Sequence, residues 1–219
     1  VPETPATQQT IGIFGGTFDP VHIGHITLAE EIKKHLLIER MYLIPCRLPP
    51  HRDKPSASDQ DRLQMLRLAT AHTSLLIDDR ELKRDGPSYT IDTLQSLREQ
   101  YGAIASLICC MGMDAFARFN TWHRWQDILS LAHLVVIARA GNHQEINADI
   151  RALLLHHQCT EKNTLKDAPA GHIYLTQLSQ IPVSSTQVRQ QLAQGILPSA
   201  VLKPAVYHYI QERGLYLTQ

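Results

Sequence analysis

The chain has 219 residues, of which 43% are hydrophobic and 19% charged, and its 21 Lys and Arg balance 21 Asp and Glu to a formal net charge of zero. Disorder as the main state is excluded, because it needs low hydrophobicity and high net charge. At this length roughly 70% of the unfolded surface can be buried without a disulfide or metal staple, and charge neutrality excludes a broad electrostatic grip on nucleic acid, so any anion site must be built from a few aimed groups.

The opening VPETPATQQ is polar and Pro-containing, and residues 1–9 read as a disordered lead-in to one domain over 10–219. No apolar run approaches the ~20 residues of a membrane-spanning helix, and no signal peptide opens the chain. TIGIF (10–14) is a short apolar run ending in Gly15-Gly16, the pattern of a buried strand and a tight turn. From His22 to Leu37 the spacing is helical, with Ile26, Ala29, Ile32, Leu36 and Leu37 on one side. MYLI (41–44) is a second strand, stopped by Pro45, and the Pro-rich RLPPHRDKPSAS that follows is longer than most connections, which marks it as functional or disordered.

Ser58 or Asp59 opens the next helix, whose Leu63, Leu66 and Ala69 make an apolar face. LLID (75–78) is a third strand, ELKRDGPSYT a charged connection, and 87–101 a helix. IASLICCM (104–111) is a nearly all-apolar strand ending at Gly112. A helix within 122–131, the strand HLVVIA (133–138), a helical 146–158, the strand HIYL (172–175) and helices at 184–194 and 203–213 complete the order, with 184–219 a C-terminal helical part. Strands apolar on both faces that alternate with helices predict an α/β fold, a parallel sheet with helices on both faces. Ligands of such sheets bind beyond the carboxyl ends of the strands, here after residues 14, 44, 111 and 138. Cys109 and Cys110 are adjacent on a strand and point to opposite faces, and no C-x-x-C pair occurs, so Cys46, Cys109, Cys110 and Cys159 read as reduced thiols of a cytoplasmic protein.

The stretch GGTFDPVHIGH runs from Gly15 to His25. Its glycines allow close backbone approach to a ligand, and the helix that follows points its N-terminus at the same spot, which favours an anion. His22 and His25 are three residues apart and share a face. A zinc pair is the competing assignment, but H-E-x-x-H is absent and no third ligand is near. Satisfied structural histidines are the other alternative. Neither G-x-G-x-x-G nor G-x-x-x-x-G-K-[ST] occurs. Later in the chain, VSSTQVR (183–189) places Ser184, Ser185 and Thr186 at a helix start with Arg189 one turn on. Capping explains one such hydroxyl; three with a guanidinium make a second anion cradle. Gly112-x-Asp114 follows an apolar strand, where Asp114 can cap a helix or accept from sugar hydroxyls.

His22-Ile23-Gly24-His25 resembles the HIGH element of the nucleotidylyltransferase superfamily, and VSSTQVR looks like its ISSTxIR element with Val183 and Val188 in place of Ile. The resemblance implies a Rossmann-like fold of nucleotidylyltransferase type and transfer of AMP from ATP. It implies ATP contacts at Gly15, Gly16, Thr17, Phe18, Gly24, His25, Gly112, Asp114, Ser184, Ser185, Thr186 and Arg189, with His22, His25 and Arg189 catalytic. Mg²⁺ is expected on the ATP oxygens, since no carboxylate cluster offers a protein cage and no protein metal ligands are expected.

PPHR (49–52), ELKRDGPSYTIDTL (81–94) and GMDAFARFNTWHRW (112–125) extend the likeness to the bacterial nicotinate-nucleotide adenylyltransferases, from about Thr10 to Tyr216. Nicotinate mononucleotide as acceptor is what this implies, with contacts at Thr17, His22, His51, Arg52, Tyr89, Thr90, Trp122, His123 and Arg139. Physically, a flat cationic ring suits the face of Trp122, although Trp122 and Trp125 at this spacing also suit core packing, the favoured role for Trp125. Backbone N–H donors near Tyr89-Thr90 and Trp122-His123 would prefer a carboxylate to an amide. Other phosphorylated acceptors, nicotinamide mononucleotide or phosphopantetheine, and a non-catalytic nucleotide-binding regulator are the rival assignments.

Overall fold

A computed structural model of the chain describes residues 9–50, 53–138, 144–178 and 181–217. Most of the expected lead-in, together with His51, Arg52 and Arg139, lies outside the described residues. Among the described residues seven strands, β1 (Thr10–Gly16), β2 (Arg40–Pro45), β3 (Leu76–Ile77), β4 (Ser106–Gly112), β5 (His133–Ala138), β6 (Gln158–Cys159) and β7 (Ile173–Gln177), form one sheet in the order β3-β2-β1-β4-β5-β7-β6. Every strand pair is parallel. The chain order therefore reverses between β1 and β4, the switch point where ligands of such sheets bind.

Helices cover both faces. On one side α1 (Ile23–Leu36), α2 (Asp59–Thr70), α9 (Ser185–Ala193) and α10 (Pro204–Glu212) pack over Met41, Leu43, Ile108, Cys110, Val135 and Ile137. On the other, α4 (Thr90–Tyr101), α5 (Met113–Phe116), α6 (Trp125–Leu131) and α7 (Ala148–His157) pack over Ile11, Ile13, Ile44, Leu107, Cys109, Leu134 and Val136. The alternation is that of a pleated strand, and it sends Cys109 and Cys110 into opposite cores, both as free thiols. Among the described residues, no helix is long and apolar enough to cross a membrane.

The departures from the sequence expectations are local. Leu37 is not on the buried face of α1; it is the C-cap, left-handed with φ 54° and 62% exposed, because the chain must turn there into β2. Leu63 is only half-buried, and Met65, Leu66 and Ala69 carry the apolar face of α2 instead. Helix α4 starts at Thr90 rather than Pro87, since the Ser88 amide donates to Leu48 O at 2.9 Å and holds the preceding residues as a loop. The helical turns α3 (Arg80–Lys83), α5 and α8 (Thr164–Asp167), and the two-residue β6, are too short to show a period.

Fully buried His133, the first residue of β5, is held in one tautomer. Its Nε2 meets Ala168 O at 2.8 Å and must donate, while its Nδ1 accepts from the His172 amide at 3.1 Å. A second proton on Nδ1 would face an N–H, and burial pushes the pKa down to about 4. The unfolded chain takes up that proton near pH 6.5, so stability is complete above pH 6.5 and is lost as pH falls toward 4. The loss from this residue should be about 3 kcal/mol. Urea unfolding at stepped pH should show it, and His133→Asn, which keeps a donor and an acceptor but cannot ionise, should flatten that part of the slope. An unchanged slope in the variant would remove the assignment.

Candidate active site

The parallel register brings Gly16 beside Pro45 and Gly112 beside Ile137, so β1, β2, β4 and β5 deliver their carboxyl ends to one edge. The turn after β1 is built there. Phe18 takes a left-handed φ of 50° and is buried, with its ring edge-on to Phe14 at 6.4 Å and to His25 at 5.1 Å. Three carbonyls of the turn are engaged by side chains from elsewhere: Thr17 O accepts from Arg62 Nη1 at 2.7 Å, Asp19 O from Arg189 Nη1 at 2.6 Å, and Pro20 O from Ser185 Oγ at 3.0 Å. Engaged carbonyls present less negative potential to an incoming phosphate.

His22 is the N-cap of α1 and His25 its third residue, and their rings stack with centroids 3.7 Å apart and planes 22° apart. The His22 amide donates to His25 Nδ1 at 3.2 Å, which places the neutral ring's proton on Nε2, the nitrogen able to donate to a ligand oxygen. Burial lowers the His22 pKa to about 4, so this ring is neutral at pH 7, and its buried Nδ1 has no hydrogen-bond partner among the described residues. Its depressed pKa adds to the acid loss of stability described for His133, with the same sign.

Gly24 explains why the pair can sit this way. A Cβ there would lie 2.9 Å from Val183 Cγ1, 3.1 Å from His22 Nδ1 and 3.2 Å from His22 Cε1. The first histidine motif and VSSTQVR are thus in direct contact through the smallest residue. In the second motif the three hydroxyls do different things. Ser184 caps α9, accepting from the Gln187 amide at 3.2 Å, while Gln187 Oε1 accepts from the Ser184 amide at 3.0 Å. Ser185 ties to Pro20, and Thr186 Oγ1 accepts from Arg189 Nη2 at 3.4 Å.

Across the switch point, Gly112 ends β4 and is the N-cap of α5, and Asp114 is exposed in its first turn. Tyr89 is the N-cap of α4, and its ring stacks on His123 with centroids 4.3 Å apart. Trp122 is half-buried and tilted against Phe119 at 5.4 Å, and Trp125 meets the same ring edge-on at 6.0 Å. The loop after β2 is fastened to this side. The Arg47 amide donates to Ser88 Oγ at 2.9 Å, and its guanidinium donates to Arg84 O at 2.9 Å and Asp85 at 2.7 Å. Buried Glu81 accepts from Thr93 Oγ1 at 2.6 Å, and burial raises its pKa. A cleft of about 500 Å³ runs between Arg47-Leu48 and residues 54–59.

A cytidylyltransferase-like family profile matches residues 13–191. A protein of Cellvibrio japonicus (strain Ueda107) described as a "probable nicotinate-nucleotide adenylyltransferase" is 45% identical over 95% of this chain and 99% of its own length. The chain belongs to the nicotinate-nucleotide adenylyltransferase family. An Aeromonas salmonicida (strain A449) relative of the same description is 44% identical over 95% of this chain and 98% of its own. The solved Plasmodium falciparum nicotinic acid mononucleotide adenylyltransferase complexed with NaAD shares the fold, with a TM-score of 0.73 at 17% identity, over 95% of this chain and 98% of that one.

In this adenylyltransferase the structure brings together Gly15 to Phe18, His22, Gly24, His25, Ser185 and Arg189, and separately Tyr89 with His123 and Trp122 with Phe119. Residues that sequence reasoning did not place at the site are Asp19, Arg47, Glu81 and buried Arg62. The string ELKRDGPSYT was visible as a motif, but nothing local shows that Arg47 is its partner. One consequence is testable. Alanine at a helical glycine ordinarily stabilises by about 1 kcal/mol; Gly24→Ala should instead lower the melting temperature, because the added methyl must displace Val183 or His22, at a cost of about 1–3 kcal/mol. A rise in melting temperature would show that the contact yields freely.

Proposed function

We propose that the protein transfers AMP from ATP to nicotinate mononucleotide, forming nicotinate adenine dinucleotide and releasing pyrophosphate, with residues 10–219 as one working unit. The observation that carries this reading is the stacked His22–His25 pair at the N-terminus of α1, wedged against VSSTQVR through Gly24. In this reading the mononucleotide phosphate oxygen attacks the ATP α-phosphorus in line, a new P–O bond forms, and the bond to the bridging oxygen of the leaving pyrophosphate breaks. The attacking phosphate is already anionic at neutral pH, so no general base is required. That agrees with a His22 whose pKa near 4 keeps it neutral.

The donors then act by position and charge. His25, with its Nδ1 occupied by the His22 amide, offers Nε2–H to the transferring phosphate. Arg189, held on Asp19 O, serves the pyrophosphate side with Ser185 and Thr186, and Ser184 closes the helix end beside them. Gly15, Gly16, Thr17, Phe18 and Gly24 form the wall that ATP lies on, with Gly112 and Asp114 toward its ribose. Among the described residues no group of three His, Cys, Asp or Glu is disposed to hold a metal ion. The imidazole, hydroxyl and guanidinium donors suit phosphate oxygens rather than a hard cation. In this reading Mg²⁺ arrives with ATP as part of that substrate. The pyridine ring packs among Trp122, Tyr89 and His123, its carboxylate accepts from backbone amides near Thr90 and His123, and His51, Arg52 and Arg139 take the mononucleotide phosphate. Cys109 and Cys110, buried thiols on opposite faces of β4 with no disulfide, suit a reducing cytoplasm.

Pyrophosphate release from Mg-ATP, with nicotinate mononucleotide or nicotinamide mononucleotide as acceptor, tests the reading. Strong preference for the acid is expected. Equal use would keep the transfer and sink the amide-donor account of selectivity, and silence with both would favour another acceptor or a non-catalytic binder. His25→Ala should lose about 10²–10³ in turnover; a folded variant with near-wild-type turnover would overturn its role.

A further inference from the structure

The C-terminal segment reaches the ATP side of the site through one hydroxyl. After α10 the chain turns at Gly214 (φ 59°) and Tyr216 adopts φ 63°, a conformation that costs an L-residue free energy and persists where its surroundings hold it. The result is a 2.7 Å hydrogen bond from Tyr216 Oη to Asp19 Oδ1. Asp19 is buried, and its carboxylate also accepts from the Ser56 amide at 2.7 Å and the Ala57 amide at 3.1 Å. Arg189 Nη1 donates to the main-chain oxygen of the same residue at 2.6 Å but lies 3.9 Å from its Oδ2. The guanidinium is thus docked on Asp19 without a close pairing to its charge. Burial and the Asp19 carboxylate push the Tyr216 phenol well above its usual pKa, so it remains a donor through the neutral range.

We infer that Tyr216 is a positioning residue for ATP: by occupying Asp19 Oδ1 it keeps the carboxylate from turning onto Arg189 and so leaves the guanidinium available to the polyphosphate. Without the hydroxyl, Oδ1 keeps only the Ala57 amide at 3.1 Å, and Arg189, 3.9 Å from Oδ2, is the described cation within reach toward which the buried carboxylate can turn; a full Asp19–Arg189 pair would compete with phosphate for the same N–H groups. The inference rests on the assignment of Arg189 to ATP phosphates made above. The effect is expected on the ATP side, because Asp19 meets Arg189, whereas Tyr89 with His123 and Trp122 with Phe119 form separate contacts.

Steady-state kinetics of four variants decide it. Tyr216→Phe deletes one oxygen and keeps the ring, and thermal unfolding checks that it is folded. It should raise KM for ATP about tenfold, the effect of one hydrogen bond to a charged group, with KM for nicotinate mononucleotide within about twofold. Tyr209→Phe serves as the control, since Tyr209 Oη donates to Asp61 Oδ1 at 2.8 Å from α10, just before the turn that carries Tyr216; it should lower the melting temperature and leave KM for ATP alone. Combined with Arg189→Gln, Tyr216→Phe should add nothing to the defect of Arg189→Gln alone. If Arg189→Gln raises KM for ATP and Tyr216→Phe does not, or if Tyr216→Phe raises both KM values equally, the positioning role is overturned while the ATP assignment stands. If Arg189→Gln itself leaves KM for ATP unchanged, the ATP assignment fails and the inference with it.

Discussion

Leu134 to Ile137 of β5 are wholly buried, as are Ile11 of β1, Met41 and Leu43 of β2 and Leu107 of β4. A parallel sheet closed on both faces by helices has no exposed face on which to place polar groups, so its chemistry is confined to the strand ends. Because every strand runs the same way, those ends fall at one edge, and the reversal of order between β1 and β4 opens a crevice there. The site follows from that confinement. Gly15-Gly16, Pro45 and Gly112 are where apolar strands stop, and the loops after them carry the polar groups.

Within that edge the turn after β1 is organised by side chains drawn from all over the chain. Arg62, from α2, is fully buried and engages Thr17 and Asp59; Arg189 and Ser185, from α9, engage Asp19 and Pro20; Tyr216 reaches Asp19 from the tail. A buried guanidinium or carboxylate is tolerated only when paired and hydrogen-bonded. The requirement to satisfy Arg62 and Asp19 therefore restricts the turn to few arrangements. The two stacked imidazoles inherit that order, since His22 is both the residue after the turn and the cap of α1.

Much of this was legible from local spacing. The HIGH spacing places two histidines in one helical turn, and capping was expected to account for one of the hydroxyls at 184–186; Ser184 is that one. The alternation of apolar strands and helices predicts the parallel sheet. What was missed had no local period or depended on distance. Leu37 has the apolarity of a core residue and the position of a C-cap, and the turn decides. Trp122 suits stacking or packing; its contact with Phe119 depends on how α5 and the turn at Phe119–Thr121 fold back on the sheet. Tyr89 and His123 are far apart in sequence, yet their rings stack at 4.3 Å.

By itself the sequence determined the class of fold, the order of its main elements, the two motifs and the family that they resemble. These are short-range properties: strand and helix periods, caps and glycine spacing act over one to four residues and are readable wherever they occur. The tertiary structure alone decided which groups hold the motifs in register. Arg47 on the loop before α4, Val183 against Gly24, Arg189 on Asp19 and Tyr216 on the same carboxylate join residues separated by tens to nearly two hundred positions. No local period encodes such pairs, because they arise only when packing brings distant segments together and most buried polar groups there take a partner.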